Sequence, residues 1–152
     1  MRKIFFILAL LTFAIPVFAS DAVVGTWKLN PAKTKYTTGA PPKDITLVIV
    51  QDGDNLVVTA TGANADGSPI AVKYSVPVKG GAGKVGQGSG FDGVTSKRVN
   101  ATTRDNSFTQ NGKEIRTRHV VVSKDGKTLT SSVKGVDAAG NPMAGDDVYD
   151  KQ

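Results

Sequence analysis

Two arginines set two positions apart, Arg116 and Arg118, are the residues of this chain best suited to holding a negatively charged group. A guanidinium presents a planar fork of donors that can meet a carboxylate on two bonds at once. What they can do depends on the face of their strand. Simple alternation along Lys113–Ser123 points Ile115, Thr117, His119 and Val121 inward and leaves both arginines in solvent. A second reading, from an internal repeat taken up below, points Arg116, Arg118, Val120 and Val122 inward. A slip of one residue exchanges the two faces, so the readings exclude each other. Facing inward, a guanidinium needs an anionic partner, and a ligand carboxylate would serve. The other outcome is a place at the end of the fold, stacked on Trp27 or reaching water.

The rest of the chemistry is sparse. His119 is the only histidine and there is no cysteine, so a transition-metal site would lack ligands. No serine is marked as a nucleophile, and His119 reads as a surface or structural residue. Gly81-x-Gly83-x-x-Gly86 matches a dinucleotide fingerprint as a string. That motif needs a helix whose N-terminus faces the pyrophosphate, and strand-like residues follow instead. Gly80–Gly90 therefore reads as a mobile loop or short edge strand. Ser89 lacks the glycine spacing of a nucleophile elbow, and Lys84 is not followed by Ser or Thr as in a P-loop. Asp52, Asp54, Asp66, Asp125 and Asp137 sit where turns are expected and suit them. Calcium at Asp52-x-Asp54 or Asp146-Asp147 would need several more oxygen ligands. None of these patterns nominates a catalytic group, a cofactor site or a metal site.

The elements that must position these residues are strands. Trp27 and Leu29, Ile45, Leu47 and Ile49, and then Ile70, Val72, Tyr74 and Val76 alternate with polar residues at a period of two. Further strands are expected at Leu56–Thr61, Val94–Val99, Ser107–Gln110, Lys113–Ser123, Thr128–Lys134 and near Val148-Tyr149. Asp52-Gly53, Asn111-Gly112 and Asp125-Gly126 are hairpin signals. Asn30–Lys43, closing on Pro41-Pro42, reads as a loop crossing the end of a sheet. No segment carries the three-and-four spacing of a helix. The fold expected is all-β: an antiparallel up-and-down barrel of about eight to ten strands, since closure removes exposed edges.

The barrel is expected in two similar halves. Asp52, Gly53, Leu56, Gly62, Ala65, Gly67 and Pro69 return as Asp125, Gly126, Leu129, Gly135, Ala138, Gly140 and Pro142, all at one offset of 73 residues. The same offset aligns Leu47 with Val120 and Ile49 with Val122. This is the origin of the inward reading of Arg116 and Arg118.

Residues 1–19 read as a signal peptide. Arg2 and Lys3 precede an apolar stretch, Ile4–Ala14, of the length of an h-region, and Val17-Phe18-Ala19 suits cleavage before Ser20. The stretch is too short to span a membrane. Residues 20–152 then form one domain, exported to the periplasm or beyond, expected to be soluble and, without cysteine, not lipid-anchored. Without Arg2 and Lys3 the chain carries 17 basic and 13 acidic residues, scattered and without a cluster of stacking aromatics. That disfavours nucleic acid as a partner.

Gly25-x-Trp27 on the first strand resembles the lipocalin-like (calycin) barrels, in which this Trp plugs one end and a basic side chain packs across it. The chain is similar, more closely, to a group of small uncharacterised exported bacterial proteins with a lipocalin-like domain. Gly25–Pro31, Lys97-Arg98, Val121–Leu129 and Val148–Gln152 carry the likeness. A Thr-Asp-Tyr second motif, a disulfide and a C-terminal helix are missing. The resemblance implies a chamber. The function expected is a non-enzymatic exported binding protein for a small, partly apolar ligand. Trp27 would close the floor, Tyr74 would line the chamber, and Arg98, Arg116 or Arg118 would engage an anionic head group. The alternative is a cell-envelope interaction module with a filled barrel, its protein partner unknown.

Overall fold

A computed structural model describes residues 20–137 and 139–152. The leader at 1–19 and Ala138, one member of the repeat, lie outside the described residues. The strands are β1 (Gly25–Leu29), β2 (Lys35–Thr38), β3 (Asp44–Asp52), β4 (Asn55–Ala63), β5 (Pro69–Pro77), β6 (Gly81–Ala82), β7 (Lys84–Val85), β8 (Gly93–Arg98), β9 (Thr103–Gln110), β10 (Lys113–Val122), β11 (Thr128–Val136) and β12 (Pro142–Lys151). All pair antiparallel in one sheet. β12 returns to β1, which pairs β3, and the sheet curls into a nearly closed barrel. The two-residue strands β6 and β7 fill the remaining space, β6 pairing β8 and β7 pairing β5. The glycine segment read as a loop or edge strand is therefore the closing seam of the wall. Glycine carries no side-chain signal, which hid it. The segment Asn30–Lys43 holds β2, which pairs β12 above β1. The last strand extends well upstream of Val148.

The repeat is structural. β4 and β11 start and end 73 residues apart, and β5 and β12 start 73 apart. Backbone bonds recur at the same offset: Asn64 N–H to Ser68 O and Asp137 N–H to Asn141 O, Gly67 N–H to Asn64 O and Gly140 N–H to Asp137 O. Gly62 and Gly135 share φ of 155° and 146° and lie against the backbone of Asp44 and Ile115. A side chain there would collide with the partner strand, which is why both copies keep glycine. β10 departs by two residues. Leu47 and Ile49 face Ala60 and Val58, whereas their counterparts Val133 and Ser131 face Arg118 and Val120. The equivalents are thus Leu47 with Arg118 and Ile49 with Val120, not Val120 and Val122. The β10–β11 loop, Ser123–Lys127, is longer than the two-residue turn Gly53-Asp54. A two-residue slip preserves the face, so Arg116 and Arg118 point into the barrel.

One end of the barrel is plugged. Val23, Trp27, Leu29, Leu56, Val76, Val122, Leu129 and Tyr149 are buried there. The N-terminal turn crosses beneath them. Trp27 Nε1 donates to Val23 O at 2.8 Å, and Lys151 Nζ lies 4.9 Å from the indole centroid. Asp21 is buried with Arg104 at 2.5 Å, and the same guanidinium nitrogen donates to Val78 O. Towards the other end the inward residues Leu47, Ala60, Ile70, Val72, Tyr74 and Val120 keep part of their surface accessible. Phe91, from the loop after β7, packs edge-on to Tyr74 and Phe108, with ring centroids 6.1 and 4.9 Å away.

Candidate functional site

Inside the barrel one wall is apolar, and the other sets polar residues among buried apolar ones such as Val94, Phe108 and Val133. β1 and β3–β5 contribute Trp27, Leu47, Ile49, Val58, Ala60 and Tyr74. β8–β12 contribute Ser96, Asn106, Arg116, Arg118, Ser131 and Asp147. The ladders set the polar residues in rows: Ser96 faces Asn106, Asn106 faces Arg118, and Ser131 faces Asp147. Arg118 reaches one row down, where Nη1 donates to Asp147 Oδ2 at 2.8 Å and Ser131 Oγ at 3.0 Å.

Asp147 is fully buried, and Tyr36 O–H donates to its second oxygen at 3.0 Å. The carboxylate is thereby paired by charge on one side and by a phenol on the other, as a buried anion requires. The Arg118 side chain is 20 % exposed. Burial alone would lower its pKa, but Asp147 outweighs that and holds it above the usual arginine value. Burial, and then the neighbouring Asp147 carboxylate, raises Tyr36 and Tyr149 above the usual phenol range. Tyr74, facing them from the apolar wall, is pushed up to about 12 by burial. All three tyrosines of the chain surround one ion pair and stay neutral at physiological pH.

Arg116 is different. It lies one row nearer the open end, half-buried, with Nε and Nη2 both donating to the backbone carbonyl of Val136 at 3.1 and 2.8 Å. No carboxylate of the described residues comes within ion-pair distance of it. Burial, and then the nearby Arg118 charge, pulls its pKa down. Its environment would accept a negative charge.

The structure brings Tyr74, Arg116 and Arg118 to one interior and puts Trp27 in the floor. Arg98 is apart from them. It stands at the plugged end, 39 % exposed and 3.8 Å from Asp21. His119 is on the outer face beside Asp105 at 2.5 Å, its side chain 53 % exposed. Asp147, the partner that organises the site, went unnamed as a site residue. The offset of 73 carries Tyr74, expected inside, onto Asp147, and that was the available signal. Among the described residues no three His, Asp or Glu side chains gather as metal ligands, and no helix is long and apolar enough to cross a membrane.

Compared with protein-family models, curated proteins and solved structures, the chain matches none.

Proposed function

We propose that this is an exported, non-enzymatic binding protein for a small amphipathic molecule whose anionic head group pairs with Arg116. The observation that carries the reading is that Arg116 points into the barrel, half-buried, with only a carbonyl for a partner. Arg118 is neutralised by Asp147 and Arg104 by Asp21, so the interior charge left over is that of Arg116. An apolar wall of Leu47, Ile49, Val58 and Val72 stands opposite for a hydrocarbon tail. The barrel, its buried Trp27 and the Lys151 cation across the indole are compatible with a lipocalin-like fold.

Palmitate and its uncharged counterpart hexadecanol test this. Palmitate should raise the melting temperature of the mature protein, and Arg116→Ala should weaken its binding by about tenfold or more, the usual worth of a hydrogen bond to a charged group. Hexadecanol binding should not change. The reading fails if neither amphiphile is bound and protein purified from its own host carries no extra mass in native mass spectrometry.

A second reading is favoured by the hollows outside the barrel. One of about 470 Å³ is on the outer face, among Lys97, Asp105, His119, Ser132 and Lys134. On that reading the barrel is filled and this groove meets a polar partner in the envelope. His119→Ala would then abolish partner capture while leaving palmitate without effect.

A further inference from the structure

The closing seam of the barrel joins two unusual features. Gly81-Ala82 holds β8 over two residues and Lys84-Val85 holds β5 over two, whereas β3–β4 and β4–β5 each pair over nine. Between the two short ladders lies Gly83, whose N–H donates to Val94 O at 2.8 Å. A Cβ at Gly83 would strike the Ser75 carbonyl and stand 2.8 and 2.9 Å from methyls of Val76 and Val94. The seam is a bare backbone wedged between neighbours.

Just inside it are buried polar atoms without partners. Ser96, which faces Gly81, and Asn106 beside it are 2 % and 9 % exposed, and neither Ser96 Oγ nor Asn106 Oδ1 makes a hydrogen bond. Below them Arg104, 3 % exposed, has Nε and Nη1 unpaired, since only Nη2 meets Asp21 and Val78. Buried donors and acceptors left unmade favour any state that supplies a partner. Outside the upper end of the seam a hollow of about 480 Å³ is lined by Val85, Phe91 and Asn111. Phe91 is also a wall of the interior through Tyr74 and Phe108.

We propose that the seam at 81–85 is a lateral entrance to the barrel, and that Ser96, Asn106 and Arg104 form a subsite for a hydroxyl group admitted through it. A hydroxyl is indicated because the occupant must accept from Arg104 and donate to Asn106 Oδ1, which a carboxylate does not do. The hydroxyl is that of a ligand or of water. The ligand source rests on the carrier reading above; the subsite itself does not.

Hydrogen exchange tests the subsite without any ligand. The Gly83 and Gly86 amides should exchange faster than those of the β3–β4 ladder. Ser96→Ala removes an unpaired group from the closed state and should slow the seam amides by about tenfold, contrary to the usual effect of losing a polar side chain. Equal rates in seam and ladder, or no slowing in Ser96→Ala, overturn the proposal. Stearate and 12-hydroxystearate then separate the two sources. Tighter binding of the hydroxy acid, lost in Ser96→Ala/Asn106→Leu, assigns the site to a ligand. Equal binding of both acids, or binding of neither, alongside slowed exchange assigns it to water, and binding of neither also ends the carrier reading. The chain has no cysteine, so disulfides across the register pairs Ala82/Thr95 and Ser75/Lys84 give clean locks. If an acid binds, at least one lock should slow its uptake; unchanged uptake with both overturns the entrance.

Discussion

The first copy of the repeat lines the barrel with Leu56, Val58, Ala60, Tyr74 and Val76, and the second with Leu129, Ser131, Val133, Asp147 and Tyr149. The backbone at these positions is the same, down to the Gly62 and Gly135 contacts and the turn hydrogen bonds. Leu56 and Leu129, and Val76 and Tyr149, are matched in burial near the plugged end. The divergence lies above that floor, where Val58 becomes Ser131, Tyr74 becomes Asp147 and Leu47 becomes Arg118. Conserved positions make the wall; altered ones put an ion pair where its counterpart packs hydrocarbon. The lesson is that strand pairing and turn chemistry specify this architecture, while the facing side chains are free to become a site.

The largest effect should come from breaking the pair that separates the halves. Asp147→Ala leaves the Arg118 guanidinium without its carboxylate and should cost about 3–5 kcal/mol in urea denaturation. Tyr74→Phe, at the equivalent place in the apolar half, removes a hydroxyl with no protein partner among the described residues and should cost less than about 1 kcal/mol. Making the polar half resemble the apolar one, with Arg118→Met and Asp147→Leu together, should recover most of the loss, since apolar replacement of a buried pair is often neutral or stabilising. If the double variant is as unstable as Asp147→Ala, the pair is not what distinguishes the halves.

Alkaline pH gives the next effect. Each tyrosine has a folded pKa above its unfolded value, so the unfolded chain loses its phenol protons first. The stabilising contribution is fully present below about pH 10 and falls as pH rises, by up to about 1.4 kcal/mol per pH unit for each tyrosine. For Tyr74 the decline ends near its folded value of about 12. Tyr36 and Tyr149 should continue past it, because Asp147 adds to burial only in the polar half. Tyrosinate absorbance appearing near pH 10, the ordinary phenol value, while the barrel is still folded would contradict this.

How much of this was legible in the sequence follows from where side chains carry the signal. β3, β4, β5 and β10 alternate in residue type and each adjoins an Asp-Gly or Asn-Gly turn, so strand and hairpin both show. At the Asn111-Gly112 hairpin both residues have positive φ, 52° and 74°, as the tight turn requires. β2 is four residues inside a Pro- and Lys-rich connection, and Pro142–Asp146 lacks the β-branched residues that announce a strand. Both form because an adjacent edge is available, which only the folded barrel supplies. The inward face of Arg118 was legible through the repeat despite the slip, because an even slip keeps parity. Its pairing with Asp147 joins residues 29 apart, and the Asp21–Arg104 bond joins residues 83 apart; composition and spacing do not encode either contact.

The smallest effect expected is a difference close to zero. Gly62→Ala and Gly135→Ala each place a Cβ against a partner backbone at a φ that L-residues rarely adopt, and each should cost about 1–3 kcal/mol. Gly135 sits opposite Arg116 and Gly62 opposite Ile45, and each would meet only backbone atoms there, so the two costs should agree within about 0.5 kcal/mol if the halves differ only in their lining. Chemical denaturation of the two single variants measures it. A much larger loss at Gly135 would mean that the β10 irregularity between Glu114 and Arg116, which has no counterpart on β3, stiffens that half. That irregularity would then be a strained feature of the wall rather than a neutral one, and the site and its backbone would have diverged together.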